Sequence, residues 1–495
     1  MPLPVQQPLV MHPRPLTLTL LVAAALLLPA MAAIGTFFDG LIYAAISRNL
    51  AAGVGSLWAP HFSEGLFPVF REHPPLVFWL QSLFFRALGD GYLTERVYDL
   101  VVLVVTVALL RVLWRRLVNQ IGLPRLAGYW WLALLCLVVV PKWSWAYRSN
   151  VLENTMTLWC LAAVLLTFSA LRASSVGKMA MLTALAGIVT LAAFLSKGLP
   201  ALFVLPSAIL LVPAAGGRRW RRAIAIAGAQ TAVFAGLLAL LLWAEPAART
   251  HFAEWWQNQV AARAGLDGGW AMLLELAKKL APMALVAGLC FLAVRRRIAA
   301  GWWQPVAGAV ASMLAIGLSA SVPLVLGDLD SGHYLLPSLP FYALAFGLLA
   351  AAALDSAGAS VRERLARPLG PGFGGAVLVA AIAIVLLSAG RIGEVRKNEA
   401  YHELFTQVAT VVGEGAVLGI HPSLYSDWTL HAVAQRYHRI SLDAEREGQW
   451  MLLPSSVAPP ADRTRLESGD WALVGPDRTA IQRDRNASAN APGSR

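Results

Sequence analysis

The feature that most constrains this chain is a series of apolar stretches, each close to the length that crosses a bilayer as a helix. Four of them occupy residues 16–36, 97–118, 151–171 and 373–393, and about 20 apolar residues suffice for one crossing. Only 14% of the residues are charged, against about 25% in soluble domains. The sequence therefore predicts a mainly α-helical, polytopic membrane protein.

The apolar pattern predicts about eleven transmembrane helices. They lie at 16–36, 92–118, 124–142, 151–172, 177–196, 199–215, 222–244, 272–294, 303–326, 334–355 and 373–393. The three cysteines, Cys136, Cys160 and Cys290, fall within apolar runs. This spacing indicates neither a disulfide framework nor a zinc finger.

The formal charge of +12 reflects membrane topology rather than nucleic-acid binding. Arginines gather in short loops, for example at 111–116, 218–222, 295–297 and 362–367. These loops alternate with loops that carry acids and histidines, as the positive-inside rule requires of cytoplasmic and outer loops. We therefore expect a bacterial inner-membrane protein with a cytoplasmic N-terminus, an extracytoplasmic C-terminus and no nucleic-acid partner.

Titratable side chains concentrate on the face that this topology places outside. Of the fifteen Asp and Glu residues in 1–393, only Asp355 and Glu363 fall on the cytoplasmic side. We therefore expect the chemistry in the outer loops. These are predicted at 37–91, 143–150, 245–271 and 327–333.

The chain changes character near residue 394. Short β-rich stretches at 416–421, 438–443 and 471–475 predict strands, and 424–436 predicts a helix between two of them. We therefore predict three regions. They are a transmembrane domain at 1–393, a small extracytoplasmic α/β domain at 394–480 and a disordered tail at 481–495.

The first outer loop, 37–91, is too long to be a simple connection. It contains two helical patterns that are too short to span a bilayer, at 39–53 and 75–88, and such helices lie in the membrane interface. The second follows Arg71, Glu72 and His73 and begins with two prolines. Because proline restricts the preceding residue to extended geometry, we expect these three side chains on an extended entry to an interfacial helix.

Each polar residue at this depth also has a structural explanation. Asp39 could cap a helix, Lys197 could extend toward the headgroups, and Tyr334 could be an aromatic anchor. Glu153 is harder to explain, because a carboxylate at the edge of a membrane helix costs up to about 3 kcal/mol unless it is hydrated or paired. Arg148 is a candidate partner for it.

Charged residues at 95–99 are expected to form a structural ion-pair network instead. The shared depth of the other groups suits a substrate with a lipid tail in the bilayer and a phosphate at its surface.

Several motifs occur in the order that is typical of one class of membrane enzymes. After Asp39 come 43-YAAISRNL-50, 72-EHPPLVFWLQSLFFRALG-89, 148-RSNVLENT-155, 196-SKGLP-200 and 333-HYLLPSLPFYAL-344. Over about residues 1–350 the chain resembles the GT-C glycosyltransferases, in particular the protein O-mannosyltransferases and lipid A aminoarabinose transferases. The resemblance implies transfer of a sugar from a polyprenyl-phosphate donor to a lipid, glycan or protein acceptor on the outer face.

The resemblance also implies roles for individual residues. Asp39 is expected to be the general base or acceptor-positioning carboxylate, and Glu153 stands where relatives often have Asp. Lys197 and Tyr334 are expected to hold the donor phosphate, together with His73, whose position is often Lys in relatives. The remaining candidates are Arg48 and Arg71 for the phosphate, and Tyr43, Arg96, Arg148 and His333 around the site.

The resemblance does not require a cofactor, although some relatives bind a metal near the first outer loop. Glu72 and His251 are the candidate ligands for a divalent metal. The sequence contains neither a P-loop nor a convincing glycine-rich Rossmann turn, so no nucleotide site is expected.

Two other functions remain open on the sequence. A transporter or lipid flippase usually carries charged residues or broken helices near the bilayer midplane, whereas here the charges lie on one face. A non-catalytic envelope-assembly protein has no need for Asp39. An enzyme is therefore favoured over both.

Overall fold

The computed structural model describes residues 12–217, 219–261, 269–298, 300–325, 331–446, 450–457 and 465–475, and the predicted tail at 481–495 lies outside them. The chain forms two compact units. Among the described residues, the helical unit comprises 12–32, Arg71–Val77 and those within 96–392, and the sheet unit comprises Ala33–Phe70, Phe78–Glu95 and those from Gly393 onward.

Most of the described chain is α-helical. In chain order the helices are α1 (Pro13–Ala32), α2 (Phe38–Ala51), α3 (Leu76–Leu88), α4 (Thr94–Gln120), α5 (Trp131–Val138), α6 (Pro141–Tyr147), α7 (Leu152–Leu171), α8 (Val176–Lys197), α9 (Ser207–Leu210), α10 (Trp220–Ala244), α11 (Pro246–Trp255), α12 (Gly269–Val294), α13 (Ala307–Val325), α14 (Leu339–Ser356), α15 (Ala359–Ala366), α16 (Pro371–Ala389), α17 (Glu399–Val412) and α18 (Trp428–His438). The prediction of two short helices in the first outer loop is confirmed by α2 and α3.

The helical unit has the composition of an integral membrane protein. Among the described residues, nine helical segments are long and apolar enough to cross a membrane, and a bent pair can form a tenth. The pair consists of Pro124–Val138 and Pro141–Tyr147 and bends by 87°. The bend falls at Pro141, because proline has no amide hydrogen to continue the helical hydrogen bonds.

The predicted span at 199–215 is wrong as a continuous helix. Pro200, Pro206 and Pro213 recur along it, and each removes a backbone donor that a helix needs. The chain forms a 3₁₀ segment at Leu199–Val204 and the single turn α9 instead.

This proline-rich segment nevertheless follows the whole length of α7. It begins after Lys197, whose ammonium pairs with Glu153 in the first turn of α7. It ends before Arg219, whose guanidinium donates to the carbonyl of Leu171 at the opposite end of α7. The two ends of the helical unit are called the Glu153 end and the Leu171 end below. The segment passes from one to the other, which keeps the basic loops together at the Leu171 end.

The sheet unit contains a small mixed sheet. Its strands are β1 (Val417–Ile420), β2 (Ser441–Asp443), β3 (Met451–Pro454), β4 (Arg465–Ser468) and β5 (Trp471–Val474), in the order β2-β1-β3-β5-β4. β1 is parallel to β2 and β3, whereas β5 is antiparallel to β3 and β4. The predicted strands correspond to β1, β2 and β5, and the predicted helix to α18. The sequence analysis missed β3, β4 and α17.

Helix α2 of the first outer loop packs within the sheet unit. Its residues from Gly40 to Leu50 are all buried, and it lies against α18. At Gly65 the loop passes so close to β2 that a Cβ atom would lie 2.3 Å from the carbonyl oxygen of Leu442. Residues 38–70 and the described C-terminal residues therefore share one core.

A buried arginine connects α18 with the start of α4. Arg436 is paired with Glu95 at 2.8 Å and with Asp90 at 2.8 Å. Removing one member of such a buried pair costs about 3–5 kcal/mol, because the other charge is left uncompensated. The sequence analysis predicted a structural ion pair for Glu95. The pair exists, but its partner is Arg436, which lies far along the chain and outside the predicted 95–99 network.

Two buried histidines predict that the sheet unit loses stability in acid. Burial, and for His402 the neighbouring His438 as well, lowers the pKa of His402 and of His431 to about 4. The unfolded chain, with the ordinary value of about 6.5, therefore binds more protons between these pH values. Stability is complete above pH 6.5 and falls as the pH approaches 4, by about 2 kcal/mol per histidine at pH 5.

We expect the sheet unit of the full-length protein in detergent to unfold at a clearly lower temperature at pH 5 than at pH 7.5. Proteolysis of the sheet unit as a function of temperature measures this unfolding. His431→Gln should reduce this difference, and His421→Gln at a half-buried position is the matched control. Equal melting temperatures at both pH values would contradict the prediction.

Candidate functional site

A buried ion pair joins the ends of two antiparallel helices. Nζ of Lys197 lies 2.7 Å from Oε1 of Glu153, and the two side chains are 5% and 1% exposed. Glu153 stands in the first turn of α7, and Lys197 is the last residue of α8. Each charge is therefore at the helix end whose dipole stabilises it.

Local backbone geometry fixes both ends of this pair. Asn150, with φ of 53°, turns the chain into α7. Gly198 follows Lys197 with φ of +91°, and a Cβ atom there would lie 2.4 Å from the indole of Trp255. This close approach explains the glycine in 196-SKGLP-200, because another residue would force Trp255 or the end of α8 to move.

Histidine and tyrosine from a third segment complete the cluster. His333 and Tyr334 lie on a 3₁₀ segment, Gly332–Ser338, that precedes α14. Nε2 of His333 is 3.6 Å from Oε1 of Glu153, and Nζ of Lys197 lies 5.0 Å from the centre of the Tyr334 ring. The predicted residues Glu153, Lys197, His333 and Tyr334 are thus brought together.

Two further residues, which the sequence analysis missed, extend this cluster. The ring of Trp145 is 6.0 Å from that of His333, and Nζ of Lys142 lies 3.3 Å from the centre of the Trp145 ring. A series of ring contacts therefore connects Lys142 with Lys197, with a cation–π contact at each end. The run 141-PKWSW-145, two residues before RSNVLENT, was the signal for them.

A second ion pair, on α12, packs against the 3₁₀ segment Gly332–Ser338. Nζ of Lys279 lies 2.8 Å from Oε2 of Glu275, one turn earlier on α12. A Cβ atom on Gly332 would lie 2.4 Å from that oxygen and 2.6 Å from Nζ of Lys279. This contact positions His333, the next residue, and the sequence analysis assigned no role to either member of the pair.

The residues before α3 contact α11 within the helical unit. Arg71 forms an ion pair with Glu254. Nε2 of the fully buried His251 donates to the carbonyl oxygen of His73 at 3.1 Å. The predicted candidates Arg71, His73 and His251 are therefore neighbours, and Glu254 is an addition to the predicted set.

A divalent metal at Glu72 and His251 does not fit well. The His251 hydrogen bond to a carbonyl matches the usual support of a metal-bound histidine, but catalytic zinc sites use three protein ligands. In the described part of the chain no group of three His, Cys, Asp or Glu side chains could hold a metal. We assign no step to a metal.

Two predicted arginines have structural contacts beside the cluster. Arg96 donates to the backbone carbonyl of Arg148, and nearby Nδ2 of Asn154 donates to Asp99 and to the carbonyl of Ala146. These contacts connect α4 and α6 with the first turn of α7. They hold the chain on both sides of Glu153.

The other predicted residues belong to the sheet unit. Asp39 is half-buried in the first turn of α2, and Tyr43, one turn later, packs against Phe70 and Phe78. Arg48 makes four hydrogen bonds. They reach Oδ1 of Asn49 and the carbonyls of Gln435 and Arg436 at the end of α18. We therefore omit Arg48 from the proposed phosphate ligands.

Two solved structures of ArnT from Cupriavidus metallidurans are similar to this chain. The structure bound to undecaprenyl phosphate superimposes with a TM-score of 0.58 and 16% identity, over 92% of this chain and 96% of ArnT. The apo structure gives a TM-score of 0.60 and 17% identity, over 92% and 97%. No protein-family model matches the sequence, and a search of curated proteins finds no match. The predicted GT-C fold is confirmed.

The ion pair between Glu153 and Lys197 predicts strong energetic coupling. Glu153→Gln and Lys197→Met should each destabilise the protein by about 3–5 kcal/mol, because the remaining charge is buried and loses its main partner. The double variant should cost clearly less than the sum of the two. Denaturation of the purified protein in mixed detergent measures all three.

Lys278→Met is the control for this cycle, because Lys278 pairs with Glu275 at a more exposed position. Its expected cost is less than about 1 kcal/mol. Additive effects of the Glu153 and Lys197 substitutions would contradict the predicted coupling.

Proposed function

We propose that this protein is a membrane glycosyltransferase that moves a sugar from a polyprenyl-phosphate donor to a hydroxyl or phosphate acceptor. The observation that carries the proposal is the cluster at one end of the membrane helices, in which Glu153, Lys197 and His333 are buried and Tyr334 is half-buried. A polyprenyl chain extends into the bilayer, so its phosphate lies at the depth of helix ends. The fold supports the same function, since one of the similar ArnT structures is bound to undecaprenyl phosphate.

Lys197 is the proposed main ligand of the donor phosphate. An ammonium group carries three donors, so it can hold the Glu153 carboxylate and a phosphate oxygen together. His333 can donate a further hydrogen bond to the phosphate, and Tyr334 borders the same site. Negative charge grows on the phosphate as the sugar leaves, so cations already in place stabilise the transition state more than the ground state.

Glu153 is proposed to act through Lys197. The Lys197 ammonium occupies one of its carboxylate oxygens, so Glu153 is suited to keeping the lysine charged and oriented. The role of general base passes to Asp39, which the family resemblance places in the catalytic machinery. In this scheme Asp39 takes the proton of the acceptor, the acceptor oxygen bonds to the anomeric carbon, and the polyprenyl phosphate leaves with the electron pair.

The Glu153 end is proposed to face the extracytoplasmic side. The basic loops gather at the Leu171 end, where Arg219 and Arg222 donate to the last carbonyls of α7, and basic loops stay in the cytoplasm. The acceptor would then be a component of the cell envelope, namely a lipid such as lipid A, a glycan or a protein.

A transporter fits the structure less well. The interior polar residues Thr167, Thr190 and Gln230 of α7, α8 and α10 are uncharged and hydrogen-bond to one another. Transporters place charged groups at that depth to carry a substrate across. The described charges cluster at the helix ends instead.

Substitution of Asp39 tests the proposed chemistry. Purified protein in liposomes is incubated with a panel of polyprenyl-phosphate sugars and an envelope-lipid extract, and free polyprenyl phosphate and new glycosylated products are measured by mass spectrometry. Asp39→Asn should lower transfer by about 100-fold or more, because it removes the general base, while donor binding stays near the wild-type level.

Glu363→Gln, an exposed substitution on α15, is the matched control and should retain transfer. Full transfer by Asp39→Asn would refute the assignment of the base. Movement of the donor across the liposome membrane without any transfer would favour the transporter.

A further inference from the structure

A cleft at the Leu171 end lies far from the cluster proposed to bind the donor. Its walls come from the start of α1, the second half of α4 and the 3₁₀ segment Pro124–Trp130, and its cavity volume is about 70 Å³. The lining residues are His12, Leu16, Arg111, Arg115, Ala127, Gly128 and Trp130. Helix α4 runs parallel to α7, since Tyr98 contacts Thr155 and Arg116 contacts Ser169, which places Arg111 and Arg115 near the Leu171 end.

The two arginines of the cleft carry charge that the described protein does not neutralise. Arg111 and Arg115 stand one turn apart on α4 and are exposed. Within the described ranges neither guanidinium meets a carboxylate, whereas the neighbouring Arg125 is paired with Asp355 at 2.6 Å. Arg111 lies over the ring of Trp130 at 5.5 Å, which orients its guanidinium within the cleft.

An apolar surface continues from the cleft along the membrane helices. Leu20, one turn beyond Leu16 on α1, is 47% exposed, and Val104, two turns before Arg111 on α4, is 60% exposed. The site therefore offers cations at the helix ends and an exposed hydrocarbon surface beside them. Such a site is suited to an anionic amphiphile, because a free phosphate ion would contact the cations but not the apolar surface.

We propose that this cleft binds the phosphodiester headgroup of an anionic phospholipid, with the phosphate on Arg111 and Arg115 and an acyl chain along α1 and α4. Basic pockets between membrane helices on the cytoplasmic side are suited to such headgroups. His12 is 2% exposed and forms the floor of the cleft, in edge contact with Tyr129. A bound lipid would hold the start of α1 against α4 and stabilise the folded helical unit.

Binding of dioleoyl-phosphatidylglycerol to the full-length protein in detergent tests this proposal, with native mass spectrometry and the melting temperature as readouts. Arg111→Gln/Arg115→Gln should weaken binding of this lipid by about thirtyfold, from about fivefold per arginine. It should also abolish the rise in melting temperature. Arg111→Lys/Arg115→Lys keeps both charges and should retain most of the binding.

The matched control is Arg116→Gln/Arg172→Gln, which removes two charges from the same end without touching the cleft. It should bind phosphatidylglycerol as the wild type does, and phosphatidylcholine should bind the wild type more weakly. Equal lipid binding by wild type and Arg111→Gln/Arg115→Gln would overturn the proposal. Arginine-dependent stabilisation by inorganic phosphate alone, equal to that by the lipid, would overturn the assignment to a phospholipid.

Discussion

The buried ion pair between Glu153 and Lys197 is the interaction on which the helical unit's site depends. It closes the hairpin of α7 and α8 at the end where the chain then enters the proline-rich segment. Either charge alone would destabilise the fold in this position, since an isolated buried ion costs several kcal/mol. The pair therefore fixes where α7 begins and α8 ends, and His333 and Tyr334 take their positions around it.

The same pair would let a largely apolar protein keep a cation ready for the proposed anionic substrate. A lysine at the membrane boundary would otherwise extend to the headgroups. Glu153 holds Lys197 inside the helical unit. The second ion pair, Glu275 with Lys279, packs closely against Gly332, the residue before His333. Preorganised charges of this kind cost no reorganisation when a phosphate arrives, which suits the proposed transfer.

The sequence predicts the local features of this protein better than the long-range ones. Apolar length predicted the spans, and the two-proline start predicted α3, because both depend on neighbouring residues. The failure at 199–215 came from treating apolar composition as helix, although Pro200, Pro206 and Pro213 were visible. Spacing alone could not predict that Glu95 pairs with Arg436 or that Arg48 binds the end of α18.

The candidate site was predicted in part for the same reason. Glu153, Lys197, His333 and Tyr334 were singled out by depth and by motif, and the structure brings them together. Glu275 and Lys279 were missed because an i, i+4 pair on an apolar helix is explained without a substrate. Their importance comes from Gly332, which is remote in sequence and close in space.

Equilibrium binding of a short-chain polyprenyl phosphate to the purified protein tests the central claim, that Glu153 serves the phosphate site by holding Lys197. The account predicts that Lys197→Met weakens binding by about tenfold or more, as the loss of a charge-assisted hydrogen bond requires. The double variant Glu153→Gln/Lys197→Met should bind no more weakly than Lys197→Met, because Glu153 has no role once the lysine is gone. Wild-type affinity in a folded Lys197→Met variant would contradict the account.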